Sequence, residues 1–201
     1  MDLFLAPDGR PRCGWAGAAP EFLDYHDTKW GFPVTDDRRL FEKISLEGFQ
    51  SGLSWRTILA KRGGLPVRVR RFDLHAVADF DESDLERLLG DSGIVRHLGK
   101  IEAVIDNARR AIELQDEAGS LAAFFWRHEP DPDKVDPPQT VSTSPASVAL
   151  STELKKRGWK FIGPTTVFAF MQAMGLVNDR ATDCATRPLA SAGRRTFTPP
   201  R

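Results

Sequence analysis

The chain is short of cysteine, of net charge and of long apolar runs. Its two cysteines, Cys13 and Cys184, lie near opposite ends of 201 residues, which argues against the disulfide framework of a small secreted protein. No apolar run approaches the roughly 18 residues of a membrane span. The first residues lack the basic start and long apolar core of a signal peptide. We therefore expect a cytoplasmic protein with no membrane partner.

The charges balance, with 28 basic and 28 acidic residues, so the field of the whole molecule gives no support for nucleic-acid binding. Their distribution is nevertheless uneven. Residues 61–71 and 153–160 are rich in lysine and arginine, whereas acidic residues gather in 79–84 and 131–136. Such segregation can place one basic face on a polyanion, although charge runs are more often simply solvated surfaces. Both interpretations stay open.

Helical spacing dominates the sequence and strand signals are weak, which predicts an all-α fold with one core or two lobes. Asp36 and Asp37 are expected to cap a long helix that runs on through Ile58 and Leu59. A second helix is predicted to start with a capping box at Ser83. A third helix is predicted from apolar residues that recur at helical spacing, namely Ile101, Val104, Ile105, Ala108 and Ile112.

The sequence predicts one main domain over residues 12–184. Residues 1–11 form an N-terminal extension, and the proline-rich stretch 129–147 is predicted to be a surface loop. Little helical signal remains after Cys184, so residues 185–201 are expected to form a loose basic tail.

One carboxylate is out of place in the long predicted helix. At about 100° per residue, Glu47 falls on the apolar stripe that should face the core. An unpaired buried carboxylate costs several kcal/mol or protonates, so Glu47 needs a partner, and a ligand in a pocket is one candidate. The alternative is that Gly48 and Gly52 kink the helix and turn Glu47 outward. The other residues of the stripe are Leu40, Ile44, Ser51, Trp55 and Ile58.

A glycine-bounded connection joins two helices near the C-terminal end. One helix is expected to close at Arg157, and the next to start at Pro164 after the residues Gly158 to Gly163. This arrangement presents backbone amides and a helix N-terminus together, which suits a phosphate. Many such connections only join helices, so this pattern alone does not establish a phosphate site.

The joint pattern of motifs resembles the 3-methyladenine DNA glycosylase I family, over residues 12 to 184. The matching segments are Arg12-Cys13-Gly14-Trp15, Tyr25-His26-Asp27, Trp30-Gly31, Leu40-Phe41-Glu42, Leu46-Glu47-Gly48, Gln50-Ser51-Gly52-Leu53-Ser54-Trp55, Gly93-Ile94-Val95-Arg96-His97, Lys100-Ile101, Phe161-Ile162-Gly163-Pro164-Thr165-Thr166 and Phe170 to Asp179.

The resemblance implies an all-helical bundle related to the helix-hairpin-helix DNA glycosylases. It implies a monofunctional enzyme of base excision repair that removes N3-methyladenine from alkylated double-stranded DNA without cutting the backbone. We expect a monomer. Two alternatives remain: a damage-binding homologue with weak or no catalysis, and a glycosylase whose pocket is reshaped by Phe22 and Ser51 for another alkylated purine.

The resemblance also implies a base pocket. Such an enzyme must flip the base out of the duplex and hold it by stacking and edge contacts. N3-methyladenine is a cation in DNA, so aromatic rings gain about 0.5–2 kcal/mol of cation–π attraction that the unmethylated base lacks. The expected substrate-binding residues are Trp15, Phe22, Tyr25, Ser51, Leu53 and Trp55. Glu47 is the expected catalytic residue, mainly for recognition and electrostatics, with general-base help to water as a secondary role.

Leu53 is the residue expected to fill the gap left by the flipped base, because apolar wedges serve that role elsewhere. Its alternative is an ordinary core position. By the same resemblance, the hairpin residues expected to bind DNA are Gly158, Lys160, Gly163, Thr165 and Thr166.

The family joins its termini through a structural zinc held by Cys, His, His and Cys. Cys13, His26 and Cys184 match three of these ligands, but Arg180 stands where the third is expected. A guanidinium has no lone pair to offer a metal. Zinc held by three residues and water or with help from Asp183, an empty site braced by Arg180, and a Cys13–Cys184 disulfide all stay open.

Overall fold

The computed structural model describes residues 2–53, 56, 58 and 64–200. Within these residues the chain folds into ten α-helices, which confirms the predicted all-α class. A small antiparallel sheet pairs β1 (Leu3–Leu5) with β2 (Pro11–Cys13). The helices are α1 (Pro20–Thr28), α2 (Asp37–Gln50), α3 (Leu65–Arg68), α4 (Leu74–Ala78), α5 (Glu82–Gly90), α6 (Leu98–Ala118), α7 (Leu121–Trp126), α8 (Pro145–Lys156), α9 (Pro164–Ala173) and α10 (Arg187–Thr196).

Helix α2 is the central element. Asp36 caps it as predicted, with its carboxylate accepting from the backbone N–H of Arg39 at 2.8 Å. Asp37 fixes the same end against α6 and α7. Its carboxylate accepts from the Gln115 side chain at 2.6 Å and from the backbone N–H groups of Leu121 and Ala122 at 2.9 Å each.

The predicted extension of α2 to Ile58 is wrong. The helix ends at Gln50 because Ser51 leaves helical geometry and Gly52 takes a φ of +77°, a conformation that glycine adopts without steric cost. The Lys100 ammonium donates to the carbonyls of Phe49 and Ser51 at 2.8 and 2.5 Å. Those carbonyls would otherwise lack helical partners, so Lys100 stabilises the early end of α2.

Helix α6 buries the predicted stripe residues Ile101, Val104, Ile105 and Ala108, and leaves Ile112 partly buried. The predicted capping box at Ser83 is wrong. Asp81 caps α5 instead, because its carboxylate accepts from the N–H groups of Ser83 and Asp84. An aspartate two residues before Ser83 is an equally good N-cap, so the helix begins earlier.

The proline-rich stretch is a loop with one 3-10 turn at Pro132–Lys134, and α8 begins inside its predicted end, at Pro145. The expected loose tail is wrong. Residues 187–196 form α10, whose Arg194 pairs with Glu129 and lies 5.3 Å from the centre of the Trp126 ring. Residues 187–196 do carry a helical signal, an amphipathic spacing with a proline in the first turn, which the expectation of a loose tail overlooked.

The two ends of the chain meet. The backbone N–H of Ala185 donates to the carbonyl of Pro11 at 2.9 Å, and that of Gly14 donates to the carbonyl of Asp2 at 2.8 Å. The N-terminal extension is therefore part of the folded unit through β1. Among the described residues, no helix combines the length and the apolar character needed to cross a lipid bilayer.

Candidate active site

A cavity of about 300 Å³ lies against the inner face of α2. This volume is at the lower end for a pocket that binds a small molecule. Helices α1, α2 and α9 contribute to its wall, together with the loop before α8 and the segment after α9. The described residues that line it are Trp15, Tyr25, Trp30, Lys43, Glu47, Gln50, Gln139, Ala169, Gln172 and Asp179.

Glu47 faces this cavity and is 6% exposed, so Gly48 and Gly52 do not turn it outward. Its partner is a protein side chain one helical turn away. The Glu47 carboxylate oxygen Oε1 lies 2.5 Å from the ammonium nitrogen of Lys43, which is 4% exposed. Removing two charges from water costs several kcal/mol for each ion, so the pair persists in a buried site only because each charge compensates the other.

Burial lowers the pKa of Lys43, but the charge of Glu47 and the Tyr25 side chain outweigh burial and raise the pKa above its ordinary value. The Lys43 nitrogen also lies 5.1 Å from the centre of the Tyr25 ring. The cavity therefore contains a charged but balanced pair beside an aromatic face.

Aromatic rings form the opposite side of the cavity. The Trp15 ring lies 6.3 Å from that of Tyr25 and 5.1 Å from that of Trp30, in a tilted and an edge-to-face arrangement. Phe22 is buried behind Trp15, with 6.1 Å between the ring centres, and is not among the described lining residues. Trp15 and Tyr25 thus face the cavity, whereas Phe22 supports Trp15.

A carboxylate and two amides form the remaining wall. Asp179 accepts from the Gln172 side chain at 2.6 Å and from the backbone N–H of Gln139 at 2.7 Å. Burial raises the pKa of Asp179 despite these hydrogen bonds. The side chain of Asp179 therefore joins the loop before α8 to α9 at the edge of the cavity.

Helices α8 and α9 are joined by the predicted glycine-bounded connection. Gly158 takes a φ of +85°, and Gly163 precedes α9 without a side chain to cap it. Because Pro164 has no N–H, the amides of Thr165 and Thr166 are the first that α9 presents at its N-terminus. Asn107 of α6 fixes the connection by pairing with the backbone N–H and carbonyl of Lys160, at 2.9 and 3.0 Å.

This connection touches the helix that carries Glu47. A Cβ atom on Gly48 would lie 3.4 Å from the carbonyl oxygen of Phe161, so glycine allows the backbones to approach closely. The Lys160 ammonium lies 2.6 Å from Asp106, and that carboxylate raises the pKa of Lys160. Lys160 is therefore already paired within the protein.

Near the chain ends, Cys13, His26 and Cys184 bring their ligand atoms within 4.8 Å of one another, and all three are buried. The cysteines are free thiols rather than a disulfide, and Cys184 Sγ lies 3.6 Å from His26 Nε2. The hydrogen bond between the thiols raises the pKa of Cys13 and lowers that of Cys184. The structure thus assembles three donors of a type that zinc prefers.

Comparison with known proteins adds the decisive observation. A family model described as methyladenine glycosylase matches residues 15–187. The chain belongs to this family. It is 45% identical over 181 residues to DNA-3-methyladenine glycosylase 1 of Escherichia coli, covering 88% of this chain and 97% of that protein.

Solved structures agree with this assignment of the methyladenine glycosylase family. A crystal structure of 3-methyladenine DNA glycosylase I is 44% identical, with a TM-score of 0.78 and coverage of 87% of this chain and 98% of that one. The Staphylococcus aureus enzyme, solved to study 3-methyladenine recognition, is 32% identical with a TM-score of 0.80, covering 88% and 96%. The resemblance stated from the sequence motifs is confirmed.

Of the predicted base-binding residues in this family member, Trp15, Tyr25 and Glu47 meet in one cavity. Ser51 and Leu53 lie instead on the exposed turn after α2, where Leu53 is 41% exposed and does not fill the core. Trp55 lies outside the described residues. Sequence reasoning missed Lys43, although a lysine four residues before Glu47 on the same helix was a usable signal.

It also missed Trp30, Gln50, Gln139, Ala169, Gln172 and Asp179 as lining residues. Gln172 and Asp179 stood inside the matched motif 170–179, which offered a signal, whereas Gln139 lies in a loop without any periodic pattern.

Proposed function

We propose that this chain is a monofunctional DNA glycosylase that excises N3-methyladenine from alkylated double-stranded DNA in base excision repair. The observation that carries the proposal is that α2 takes part in two features: a cavity lined by aromatic rings beside Glu47, and a direct contact between Gly48 and the α8–α9 connection. A base-flipping enzyme needs both a pocket for the base and a nearby grip on the backbone. We expect it to act as a monomer in the cytoplasm.

The cavity suits a methylated purine. Trp15 and Tyr25 offer faces for stacking, and a cationic base gains about 0.5–2 kcal/mol from such rings beyond stacking. A carboxylate has about four acceptor positions, so Glu47 can accept from the exocyclic amine of the base while Oε1 holds Lys43. Because Lys43 balances the charge of Glu47, selection for the cation depends chiefly on the rings.

Bond cleavage then needs little proton transfer. The methylated purine is positively charged and leaves readily, so positive charge develops on the sugar and water attacks C1′. Glu47 therefore serves mainly to hold and orient the base, with general-base assistance to water as a secondary role.

The grip on DNA is proposed at the N-terminus of α9, in the manner of a helix-hairpin-helix motif. The amides of Thr165 and Thr166, next to Gly158 and Gly163, suit a phosphate because a helix N-terminus carries partial positive charge. Lys160 adds only long-range charge, since Asp106 already pairs with it. We propose that Leu53 fills the gap left by the flipped base, and its exposure on the turn after α2 supports this role.

The variant Glu47→Gln tests the role of the cavity. It keeps the size of the side chain but removes the charge that orients the base. We expect the single-turnover rate of N3-methyladenine release from a defined duplex to fall on the order of 100-fold or more. The exposed Glu86→Gln on α5 is the matched control and should keep the wild-type rate. A wild-type rate in Glu47→Gln would remove Glu47 from the site.

The variant Thr165→Glu tests the proposed DNA contact, because it should raise the stability of the fold and lower the affinity for duplex DNA. An acid in the first turn of α9 should stabilise the fold by about 0.3–1 kcal/mol through the helix dipole. It should also weaken duplex binding on the order of tenfold at about 0.1 M salt, because it repels the phosphate.

Thr35→Glu is its control, because Thr35 is exposed two residues before the start of α2, and that start lies about 15 Å along the helix axis from Glu47. Duplex affinity should stay at the wild-type value in that variant. Equal losses of affinity in both variants would show that added negative charge acts non-specifically and that the N-terminus of α9 is not the contact.

A further inference from the structure

We propose that Lys43 is a positioning residue that keeps Glu47 ionised and oriented in the base pocket. This inference deepens the proposed function and rests on it. Four observations carry it: the 2.5 Å contact between the two side chains, their burial, their place one turn apart on α2, and their shared position on the cavity wall. Glu47 needs a positively charged partner because burial disfavours an ionised carboxyl group.

The environment of the pair leaves Lys43 as the main compensating charge. Among the described residues, the other titratable side chains that line the cavity are Tyr25 from α1 and Asp179 from the segment after α9. Helices α7 and α9 present no charged side chain to it, and Lys100 of α6 binds carbonyls at the end of α2. Asp179 is an acid, so it cannot compensate Glu47.

The consequence is a pH dependence that a packing role would not produce. Without its ammonium partner, the Glu47 carboxylate would be a lone buried charge, and burial favours the neutral form of a carboxyl group. A protonated Glu47 no longer accepts two hydrogen bonds as an anion, so base recognition weakens on the acidic side. Lys43 therefore extends the pH range of excision to lower pH.

The test is the pH profile of the single-turnover rate on duplex with N3-methyladenine, from about pH 5 to about pH 9, for wild type, Lys43→Met and Lys43→Arg. We expect the acidic limb of the Lys43→Met profile to lie about one pH unit or more above that of wild type. At the pH of this limb the variant should be about tenfold slower than wild type, and its rate should recover at high pH. Lys43→Arg keeps the positive charge and should keep the wild-type limb.

A loss in Lys43→Met that is the same at every pH, or an unchanged profile, would overturn the inference. If Lys43→Met fails to fold, Lys43→Gln serves in its place with the same expected shift. Failure of the proposed role of Glu47 is separate, because it appears as wild-type excision by Glu47→Gln. An inactive Glu47→Gln beside an unmoved Lys43→Met profile would contradict only the role of Lys43.

A second inference comes from the junction of the chain ends and is independent of the pocket. The donors Cys13, His26 and Cys184 fit three corners of a zinc site, but a closed structural site takes four ligands. The fourth residue, Arg180, is fully buried and offers no lone pair. The residues present therefore do not fit the structural zinc that the family resemblance implies.

Arg180 already makes the connections that a metal would supply. Its Nη2 donates to the carbonyls of His26 and Trp30 at 2.8 and 2.5 Å, and its guanidinium carbon lies 5.1 and 5.2 Å from the ring centres of Trp30 and Phe32. Burial lowers the pKa of Arg180, yet its charge interacts with Cys184 and Cys13. A fixed cation beside the sulfur atoms repels a second cation.

We infer that Arg180 replaces the zinc ion and its fourth ligand as the cation that joins the two ends of the chain. Zinc per chain is measured by elemental analysis after expression with added zinc, and the melting temperature is measured with and without a strong chelator. We expect the wild type to hold far less than one zinc and to melt unchanged with chelator. Arg180→His restores four ligands, so it should bind about one zinc per chain and become chelator-sensitive.

Cys184→Ser in the Arg180→His background is the control and should lose that zinc. About one zinc per wild-type chain, or a lower melting temperature of the wild type with chelator, would overturn the inference. So would an Arg180→His variant that folds without taking up zinc. If Arg180→His does not fold, the two wild-type measurements still decide.

Discussion

The buried ion pair between Lys43 and Glu47 is the interaction on which the rest of the site depends. A charged carboxylate on the inner face of a helix is tolerable only beside an opposite charge, and α2 supplies that charge one turn earlier. The pair gives the cavity an anionic acceptor without giving it net charge. In the proposed function, the aromatic wall then selects the cationic base, because the attraction between a ring and a cation does not require a net negative pocket.

The fold is arranged to hold α2 from three sides. Asp37 ties its start to α6 and α7, Lys100 satisfies carbonyls at its end, and Gly48 lets the α8–α9 connection rest on its middle. The aromatic wall depends on α1 and the segment before it, and these are held by the junction of the chain ends around Arg180. The position of the cavity relative to the α8–α9 connection is thus set by buried or part-buried side chains bonded to backbone groups and by one close approach of two backbones.

The sequence predicted those parts of the molecule that have a periodic or motif signal. The α6 stripe from Ile101 to Ala108 was predictable because burial repeats every helical turn, and Glu47 was conspicuous because it interrupts such a stripe. The early end of α2 was not, because Gly52 fits a helix pattern until its φ is known. Helix α10 was missed although its amphipathic spacing was readable, and only the contact of Arg194 with the Trp126 ring needed the structure. The spacing of four residues between Lys43 and Glu47 was a usable signal for an ion pair, but the burial of Lys43 could be learned only from the structure.

A crystal structure of the protein with free 3-methyladenine tests the role of the Lys43–Glu47 pair. We expect the base inside the cavity between Trp15 and Glu47, with its exocyclic nitrogen about 3 Å from a Glu47 carboxylate oxygen and the Lys43 contact retained. A base bound elsewhere on the protein, with the cavity filled only by water, would contradict this role.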